Sequence, residues 1–324
     1  NDPGYHPRRI DPIASVMTTV PFALYDAFSD TPFGGSQAGI VSDAAWIEAD
    51  ARRLIAREIG APATGFVTAC HDHAIGARVP STVTELPMCG HGTISLMTRM
   101  VEQGELDWNG GGRIDVVLRL PSATATVEIS RRDDGRPLVM LDIRPPEFRR
   151  DLLDAVELAR HLGLSEQDYS PERPLETASG DFVHLVVPLR DLTAMRRIKP
   201  DFAELTRFCQ AHGLQTIATF CSEVEKADHP LHVRDFCPAV GVWESAAAGT
   251  TNAALACYLI RHDIIRENTD GRIVIQAEQG HEIERPSSIR SILSMKGGSI
   301  ARLQVGGVAT KVMDGRLHLP ITPP

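Results

Sequence analysis

The sequence predicts an α+β protein of two similar lobes, each a β-sheet wrapped around one central helix. Glycine-containing turns at residues 89–92 and 248–252 each precede a largely apolar helical pattern, at Thr93–Val101 and Ala253–Ile260. In each half, short strand-like segments come before the turn and its helix. Because a largely apolar helix must be buried, each of these two helices belongs at the centre of its lobe.

The first half begins with a hairpin-like segment and continues with an amphipathic helix and two more strands. Ser29–Gly35 is rich in Pro and Gly, so the chain turns there. Gly60 stands where the C-terminal cap of the amphipathic helix belongs. The predicted elements are strands at Phe22–Phe28, Ala38–Val41, Thr64–Ala69 and Ile75–Val79, and a helix at Asp43–Ile59.

The second half repeats the order of strand, glycine turn and apolar helix. A helix at Asp201–His212 ends at Gly213, and strands are predicted at Phe182–Val187, Thr216–Phe220 and His232–Phe236. We therefore divide the chain into an N-terminal extension (residues 1–20), a first lobe (21–130) and a second lobe (131–299). The C-terminal strands, residues 300–324, are a further segment that can join the first lobe.

Composition and charge exclude several classes of function. The 324 residues include 33 Lys and Arg against 42 Asp and Glu, a net charge of −9, and no basic run is present. We therefore expect the protein to bind a small molecule, and we do not expect nucleic acid or a membrane as a partner. Ala246–Ile260, the longest weakly polar stretch, is too short to span a bilayer. Residues 1–16 lack the apolar region of a signal peptide, so a cytoplasmic location is predicted.

Cofactor motifs are missing from the sequence. The six cysteines lie far apart without a C-x-x-C pair, so we expect no metal site, and we expect most of the cysteines to be buried and reduced. The sequence contains no G-x-G-x-x-G, no Walker lysine loop and no G-x-S-x-G. It therefore predicts neither a nucleotide cofactor nor a serine hydrolase.

The two glycine turns are the predicted site, because free N–H groups at the start of a helix bind a carboxylate or a developing enolate. Cys89 and His91 lie at the first of these turns, and a thiol and an imidazole both carry protons near neutral pH. Plainer interpretations stay open. Cys89 is equally typical of a buried core cysteine, and Glu85 and Glu244 of carboxylates that bond backbone N–H groups.

Five segments of the sequence carry a resemblance to a known family. In chain order they are residues 26–37, with Asp-Ala-Phe and Thr-Pro-Phe-Gly-Gly; 84–91, Thr-Glu-Leu-Pro-Met-Cys-Gly-His; 179–201; 236–249, with Phe-Cys-Pro and Gly-Val; and 279–287, with Gln-Gly and Arg-Pro-Ser. These segments resemble the PhzF family of isomerases, relatives in fold of diaminopimelate epimerase and proline racemase. The resemblance runs from about Pro21 to Leu319 and implies a diaminopimelate epimerase-like fold.

The sequence departs from that family at its acid and base residues. Ala63 stands where the family has its catalytic glutamate, and Ser245 replaces the aspartate of an E-D-P motif. Residues 88–93, Met-Cys-Gly-His-Gly-Thr, are similar to the first thiol motif of proline racemase, whose cysteine removes an α-proton. Ala248 occupies the position of the second thiol. Cys89, with its pKa lowered by the helix N-terminus, is therefore the predicted base, and His91 is its helper.

The resemblance implies a cofactor-independent isomerase that moves a proton along the conjugated system of a small amino or carboxylic acid, as in antibiotic biosynthesis. It also implies a homodimer. The residues expected to bind the anionic substrate are Gly90, Gly92, Thr93, Gly249, Thr250, Thr251, Ser36, Gln37, Ser179, Thr64, Glu244 and Ser245.

Two other hypotheses stay open at this point. One is an amino-acid racemase or epimerase, in which Thr250, Ser245 or His281 would act as the acid opposite Cys89. The other is a non-catalytic binding protein on the same fold, which the missing glutamate at Ala63 allows.

Overall fold

The computed structural model describes residues 18–82, 84–86, 88–151, 153–266 and 271–319. The described residues form one continuous sheet of seventeen strands. Most of the predicted N-terminal extension and the last residues of the predicted C-terminal segment lie outside the described ranges. The sheet begins at Thr18, three residues before the predicted start of the first lobe.

The elements follow one another in two comparable series. The first series is β1 (Thr18–Ala27), β2 (Ser36–Val41), α1 (Ala49–Ile59), β3 (Ala63–His71), β4 (Ala74–Arg78), α2 (Gly90–Glu102), β5 (Arg113–Arg119), β6 (Thr124–Arg131) and β7 (Pro137–Ile143). The second is β8 (Glu147–Arg149), α3 (Ala155–His161), β9 (Glu176–Ser179), β10 (Val183–Pro188), α4 (Leu192–Arg197), α5 (Phe202–His212), β11 (Thr216–Cys221), β12 (Leu231–Cys237), β13 (Val242–Ser245), α6 (Gly249–Arg261), β14 (Arg272–Gln279), β15 (Ser287–Lys296), β16 (Ser299–Gly307) and β17 (Ala309–Leu319).

The two series share one order of strand pairing. In the first, β1–β2, β3–β4 and β5–β6 are antiparallel pairs, and β2–β3 and β4–β5 are parallel pairs. In the second, β9–β10, β11–β12 and β14–β15 are antiparallel, and β10–β11 and β12–β14 are parallel. The central helices α2 and α6 occupy the same place in each series. The predicted architecture of two pseudo-symmetric lobes is confirmed.

The lobes exchange strands at their junction. Strand β7 pairs with β6 of its own series and with β16, which in turn pairs with β15. The chain then crosses over, because β8 pairs with β9 while β17 pairs with β1. The predicted lobe boundaries after residues 130 and 299 stay predictions.

The central helices are buried as predicted. Residues Gly92–Met100 of α2 and Thr251–Leu259 of α6 are buried, and both helices contribute to one hydrophobic core. A second core cluster packs under α3, α4 and α5, and a third packs under α1. In the described part of the chain, no helix is both long and apolar enough to cross a bilayer.

The predicted start of the first amphipathic helix is wrong. The pattern places it at Asp43, but α1 begins at Ala49. Asp43 has a left-handed φ of 52°, and the N–H of Ala44 donates to the carbonyl oxygen of Val67 in β3. This segment is therefore bound to the sheet before the helix begins. The predicted C-terminal cap at Gly60 is confirmed, with φ 71°.

A buried histidine and two glutamates connect β12 to β14 and the turn after β14. His232 lies opposite Glu278 in the parallel pair, and its ring nitrogens lie 2.7 Å from Glu278 and 2.9 Å from Glu282. Burial alone would lower the pKa of His232, but these two hydrogen bonds outweigh burial and raise the pKa to about 9. The histidine therefore carries a charge at neutral pH, which the carboxylates balance.

We expect Gly306→Ala to weaken the junction between the lobes. A Cβ at this position in β16 would lie 1.9 Å from the carbonyl oxygen of Val139 in β7, so the paired backbones must separate. The expected loss of unfolding free energy is roughly 1–3 kcal/mol, measured by urea denaturation. The control is Gly112→Ala, because a Cβ there meets nothing within 4 Å. Equal stability of the two variants would contradict the proposed crowding.

We expect the stability of the protein to fall between about pH 6.5 and 9. The pKa of His232 rises from 6.5 to about 9 on folding, so its contribution is complete below the lower value and is lost as pH passes the higher one. The full contribution is on the order of 3 kcal/mol. Urea denaturation at pH 7 and pH 9.5 should show this fall in the wild type and in the exposed control His318→Gln. A His232→Gln variant with the same fall would refute the assignment.

Candidate active site

The two central helices begin with the same backbone geometry. Helix α2 is preceded by Cys89 in an extended conformation (φ −148°, ψ 108°) and starts at Gly90. Helix α6 is preceded by Ala248 in nearly the same conformation (φ −126°, ψ 107°) and starts at Gly249. Ala248 is therefore the structural counterpart of Cys89, and only one of the two lobes has a thiol at this position.

The starts of both helices contact the ring of Phe28. A Cβ built at Gly90 would lie 4.0 Å from Cζ of Phe28, and one built at Gly249 would lie 3.7 Å from the same atom. The ring is buried, and the residue has a left-handed φ of 64°. Its N–H donates to Val308 at 2.7 Å, and its carbonyl oxygen accepts from the N–H of Ser288 at 2.8 Å. The two glycine turns therefore lie close to each other.

Cys89 and His91 form a thiol–imidazole pair in the first turn of α2. The Sγ atom lies 3.4 Å from Nε2 and 3.6 Å from Nδ1 of the imidazole. Cys89 is buried and His91 is partly buried. A thiol that can donate to an imidazole thus lies at the helix start, beside backbone N–H groups.

The predicted lowering of the Cys89 pKa is wrong. Burial raises the pKa of this thiol to about 12, and the smaller effect of the Gly92 N–H acts in the opposite direction. Burial also lowers the pKa of His91 to about 4. At neutral pH the pair is therefore an uncharged thiol next to an uncharged imidazole. The imidazole is the group that can accept a proton in this state.

A second polar cluster lies under the start of α6 and was not predicted from the sequence. The hydroxyl of Thr251 donates to Oδ2 of Asp235 at 2.9 Å and lies 3.4 Å from Nδ1 of His184. The same nitrogen lies 2.7 Å from the hydroxyl of Thr216. Burial raises the pKa of Asp235 to about 6, and its Oδ1 atom has no hydrogen-bond partner among the described residues. An aspartate in the apolar pattern of β12 is the one sequence signal for this cluster.

The segment that leads into α6 is held by polar side chains of neighbouring elements. The amide of Gln279 donates to the Ser245 carbonyl oxygen at 2.7 Å and accepts from Asn252 at 2.8 Å. The hydroxyl of Ser287 donates to the carbonyl oxygen of Ala246 at 2.8 Å. Gln279 and Ser287 of the late motif therefore position this turn.

An ion pair between the buried Asp26 and the partly exposed Arg285 holds the turn between β1 and β2. Arg285 donates to Oδ1 of Asp26 at 2.6 Å and to the carbonyl oxygen of Gly35 at 2.8 Å. Asp26 also accepts from the N–H of Phe33 at 2.6 Å. This ion pair fixes the entry into β2, where Ser36 and Gln37 lie.

The remaining predicted site residues have varied environments. Thr64 and Thr93 are buried, and their hydroxyls have no partner among the described residues. Ser36 is buried at the start of β2, Gln37 and Thr250 are partly buried, and Ser179 pairs with Val183 at the end of β9. The Glu244 carboxylate is engaged by the guanidinium of Arg234, at 2.9 and 2.8 Å. The roles of these residues in binding stay predictions. In the described ranges, no three His, Cys, Asp or Glu side chains are grouped to hold a metal ion.

Comparison with known proteins agrees with this architecture. Residues 25–315 match the family model PhzC-PhzF, described as phenazine biosynthesis-like protein. An uncharacterized isomerase of Mesorhizobium japonicum is 28% identical, over 94% of this chain and all of the relative. The trans-2,3-dihydro-3-hydroxyanthranilate isomerase of Pseudomonas chlororaphis is 28% identical, over 88% of this chain and 95% of the relative. The crystal structure of the PhzF-family phenazine biosynthesis protein of Bacillus anthracis has a TM-score of 0.84 at 23% identity, covering 93% of this chain and 99% of that chain.

The fold is thus the two-lobed one predicted, and the protein is an enzyme of the isomerase class. The chain belongs to the PhzC-PhzF family.

We expect Cys89 to resist alkylation in the folded protein. The thiolate is the reactive form, and this thiol is buried with a pKa of about 12. Cys70, the exposed thiol at the end of β3, should react first with iodoacetamide at pH 7.5. Peptide mass spectrometry with and without denaturant measures both residues. Labelling of Cys89 ahead of Cys70 at pH 6 would show that the helix N-terminus outweighs burial.

Proposed function

We propose that this enzyme is a cofactor-independent isomerase that moves a proton along the conjugated system of a small amino or carboxylic acid. The observation that carries the proposal is the pairing of Cys89 with His91 at the start of α2, with Ala248 at the equivalent place before α6. Movement of a proton from one carbon to another needs a single proton carrier on one face of the substrate.

The asymmetry between the lobes favours this reaction over racemisation. Inversion at a carbon centre needs a base on one face and an acid on the other. The structural counterpart of Cys89 is Ala248, which cannot exchange a proton. The hydroxyl of Thr251, on the same helix, is already hydrogen-bonded to Asp235. A proton shift on one face of the substrate therefore fits these residues better than inversion of a carbon centre by two bases.

The substrate carboxylate would bind at the starts of the two central helices. The N–H groups of the first helical turns have no partner within their own helix, and the positive ends of both helix dipoles lie near Phe28. Negative charge that develops on an enolate is stabilised by the same groups. The N–H groups of Gly90–Gly92 and Gly249–Thr251 would supply these donors, because the N–H of Thr93 already donates to the carbonyl oxygen of Cys89.

In the proposed mechanism, His91 takes up the proton and returns it. Its imidazole is uncharged at neutral pH, and a bound carboxylate nearby raises its pKa from about 4 toward neutrality. A C–H bond breaks as an N–H bond forms, and the double bond moves in the resulting enolate. The N–H bond then breaks as a new C–H bond forms, so no oxidant or reductant is needed. The imidazole donates its ring N–H to Sγ of Cys89, which orients the ring and leaves the other ring nitrogen free to take the proton.

The substrate class is supported by the relative from Pseudomonas chlororaphis, which is named as an isomerase of trans-2,3-dihydro-3-hydroxyanthranilate. We extend to this chain only the class of a small unsaturated amino or carboxylic acid, in a secondary-metabolite pathway. A homodimer and a cytoplasmic location stay predictions from the resemblance and the composition.

We expect the enzyme to introduce solvent deuterium at a new carbon of its substrate. Small unsaturated amino acids, including trans-2,3-dihydro-3-hydroxyanthranilate, would be incubated with the protein in D₂O and examined by NMR. Loss of a general base typically lowers the rate roughly 100-fold to 10,000-fold, so we expect the isomerisation rate of His91→Ala to fall by that factor. The rate of Cys89→Ala should also fall, while the rates of Cys209→Ala and Cys257→Ala should stay near that of the wild type.

Three other outcomes would refute parts of the proposal. Deuterium at the α-carbon with inversion would identify a racemase or epimerase. Binding of an acid without any labelling would identify a binding protein. Normal turnover by Cys89→Ala together with loss in His91→Ala would assign the cysteine to the hydrophobic core alone.

A further inference from the structure

A cavity of about 510 Å³ lies apart from the proposed active site, over the outer face of the sheet where the lobes join. Its walls come from β7, β14 and β15, from the loop before β12, and from Asp30 and Arg132 in the turns that follow β1 and β6. This volume is typical of small-molecule sites. Neither Cys89 nor His91 lines the cavity.

A chain of hydrogen-bonded side chains forms one wall of this cavity. His229 lies between the carboxylate of Asp228, at 2.7 Å, and the hydroxyl of Ser288, at 2.6 Å. The amide of Gln276 donates to the same hydroxyl at 2.7 Å. Its oxygen accepts from Nε of Arg290 at 2.9 Å. The chain therefore fixes the orientation of the Arg290 guanidinium.

The guanidinium of Arg290 forms no ion pair with any of the described residues. Among the described residues, its two terminal nitrogens have no hydrogen-bond or ion-pair partner, and the Nζ of Lys226 in the same cavity has no ion-pair partner either. The other wall arginine, Arg132, is paired with Asp30 at 2.6 Å. Burial and the nearby charges of Arg132 and Arg272 lower the pKa of Arg290, and they outweigh the opposite effect of Asp30. A bound anion would relieve this repulsion.

We propose that the cavity is a second ligand site, which binds a small molecule through a carboxylate or phosphate group held by Arg290 and Lys226. A guanidinium with both terminal nitrogens free matches two oxygens of such a group in a bidentate arrangement. The hydrogen-bonded chain from Asp228 holds that guanidinium in place before the ligand arrives. The inference does not depend on the proposed proton transfer.

Calorimetric titration of the full-length protein tests this site with two probes, succinate and inorganic phosphate, at constant ionic strength maintained with chloride. We expect saturable binding of at least one probe, which distinguishes carboxylate from phosphate as the preferred group. Loss of a charged bidentate contact should weaken binding roughly 10- to 100-fold in Arg290→Gln. Arg290→Lys keeps the charge but loses the planar fork, so it should also bind more weakly than the wild type.

The controls separate this cavity from other anion sites. Arg119→Gln removes an exposed arginine at the end of β5 and should bind as the wild type does. His91→Ala changes the proposed active site and should leave binding at the cavity intact. Equal affinity of Arg290→Gln and the wild type would overturn the proposal, as would loss of binding in His91→Ala. Absence of binding by both probes in the wild type would also overturn it.

Discussion

The contact of two helix starts with one buried phenylalanine ring is the constraint on which the centre of this protein depends. The ring of Phe28 lies beside Gly90 and Gly249 at the two helix starts, and a Cβ at Gly307 would lie only 3.0 Å from the ring. A left-handed φ in a phenylalanine costs on the order of 1–3 kcal/mol. Two backbone hydrogen bonds, to Val308 and from Ser288, hold the residue in that conformation. This packing is one of the contacts that bring the starts of α2 and α6 together.

The same packing decides the chemistry of the proposed acid–base pair. A helix N-terminus favours a thiolate, but burial disfavours any charge, and at Cys89 the effect of burial is the larger one. The thiol and the imidazole consequently stay uncharged until a ligand changes their surroundings. An anionic substrate would supply that change, because its charge raises the proton affinity of His91. In the proposed mechanism, substrate binding and base strength would be coupled through the low polarity of the site.

Local sequence patterns predicted those elements whose formation depends on neighbouring residues in the chain. The two central helices, the strands before them and the cap at Gly60 follow from hydrophobic periodicity and glycine placement. The true start of α1 could not be predicted in this way, because it depends on a hydrogen bond from Ala44 to β3. The contact of Thr251 with Asp235 and the orientation of Arg290 also depend on residues far apart in the chain. Periodicity carries no information about such contacts.

The pairing of the first and last described strands has a consequence for the synthesis of this chain. Strand β1 pairs with β17 from Thr18 opposite Leu319 to Ala27 opposite Ala309. The ribosome adds roughly 5–20 residues per second, so β17 emerges on the order of tens of seconds after β1. One edge of β1 lacks its partner for that whole interval, and an unpaired edge is a template for strands of other chains. The lobe that is translated first is therefore the last to close.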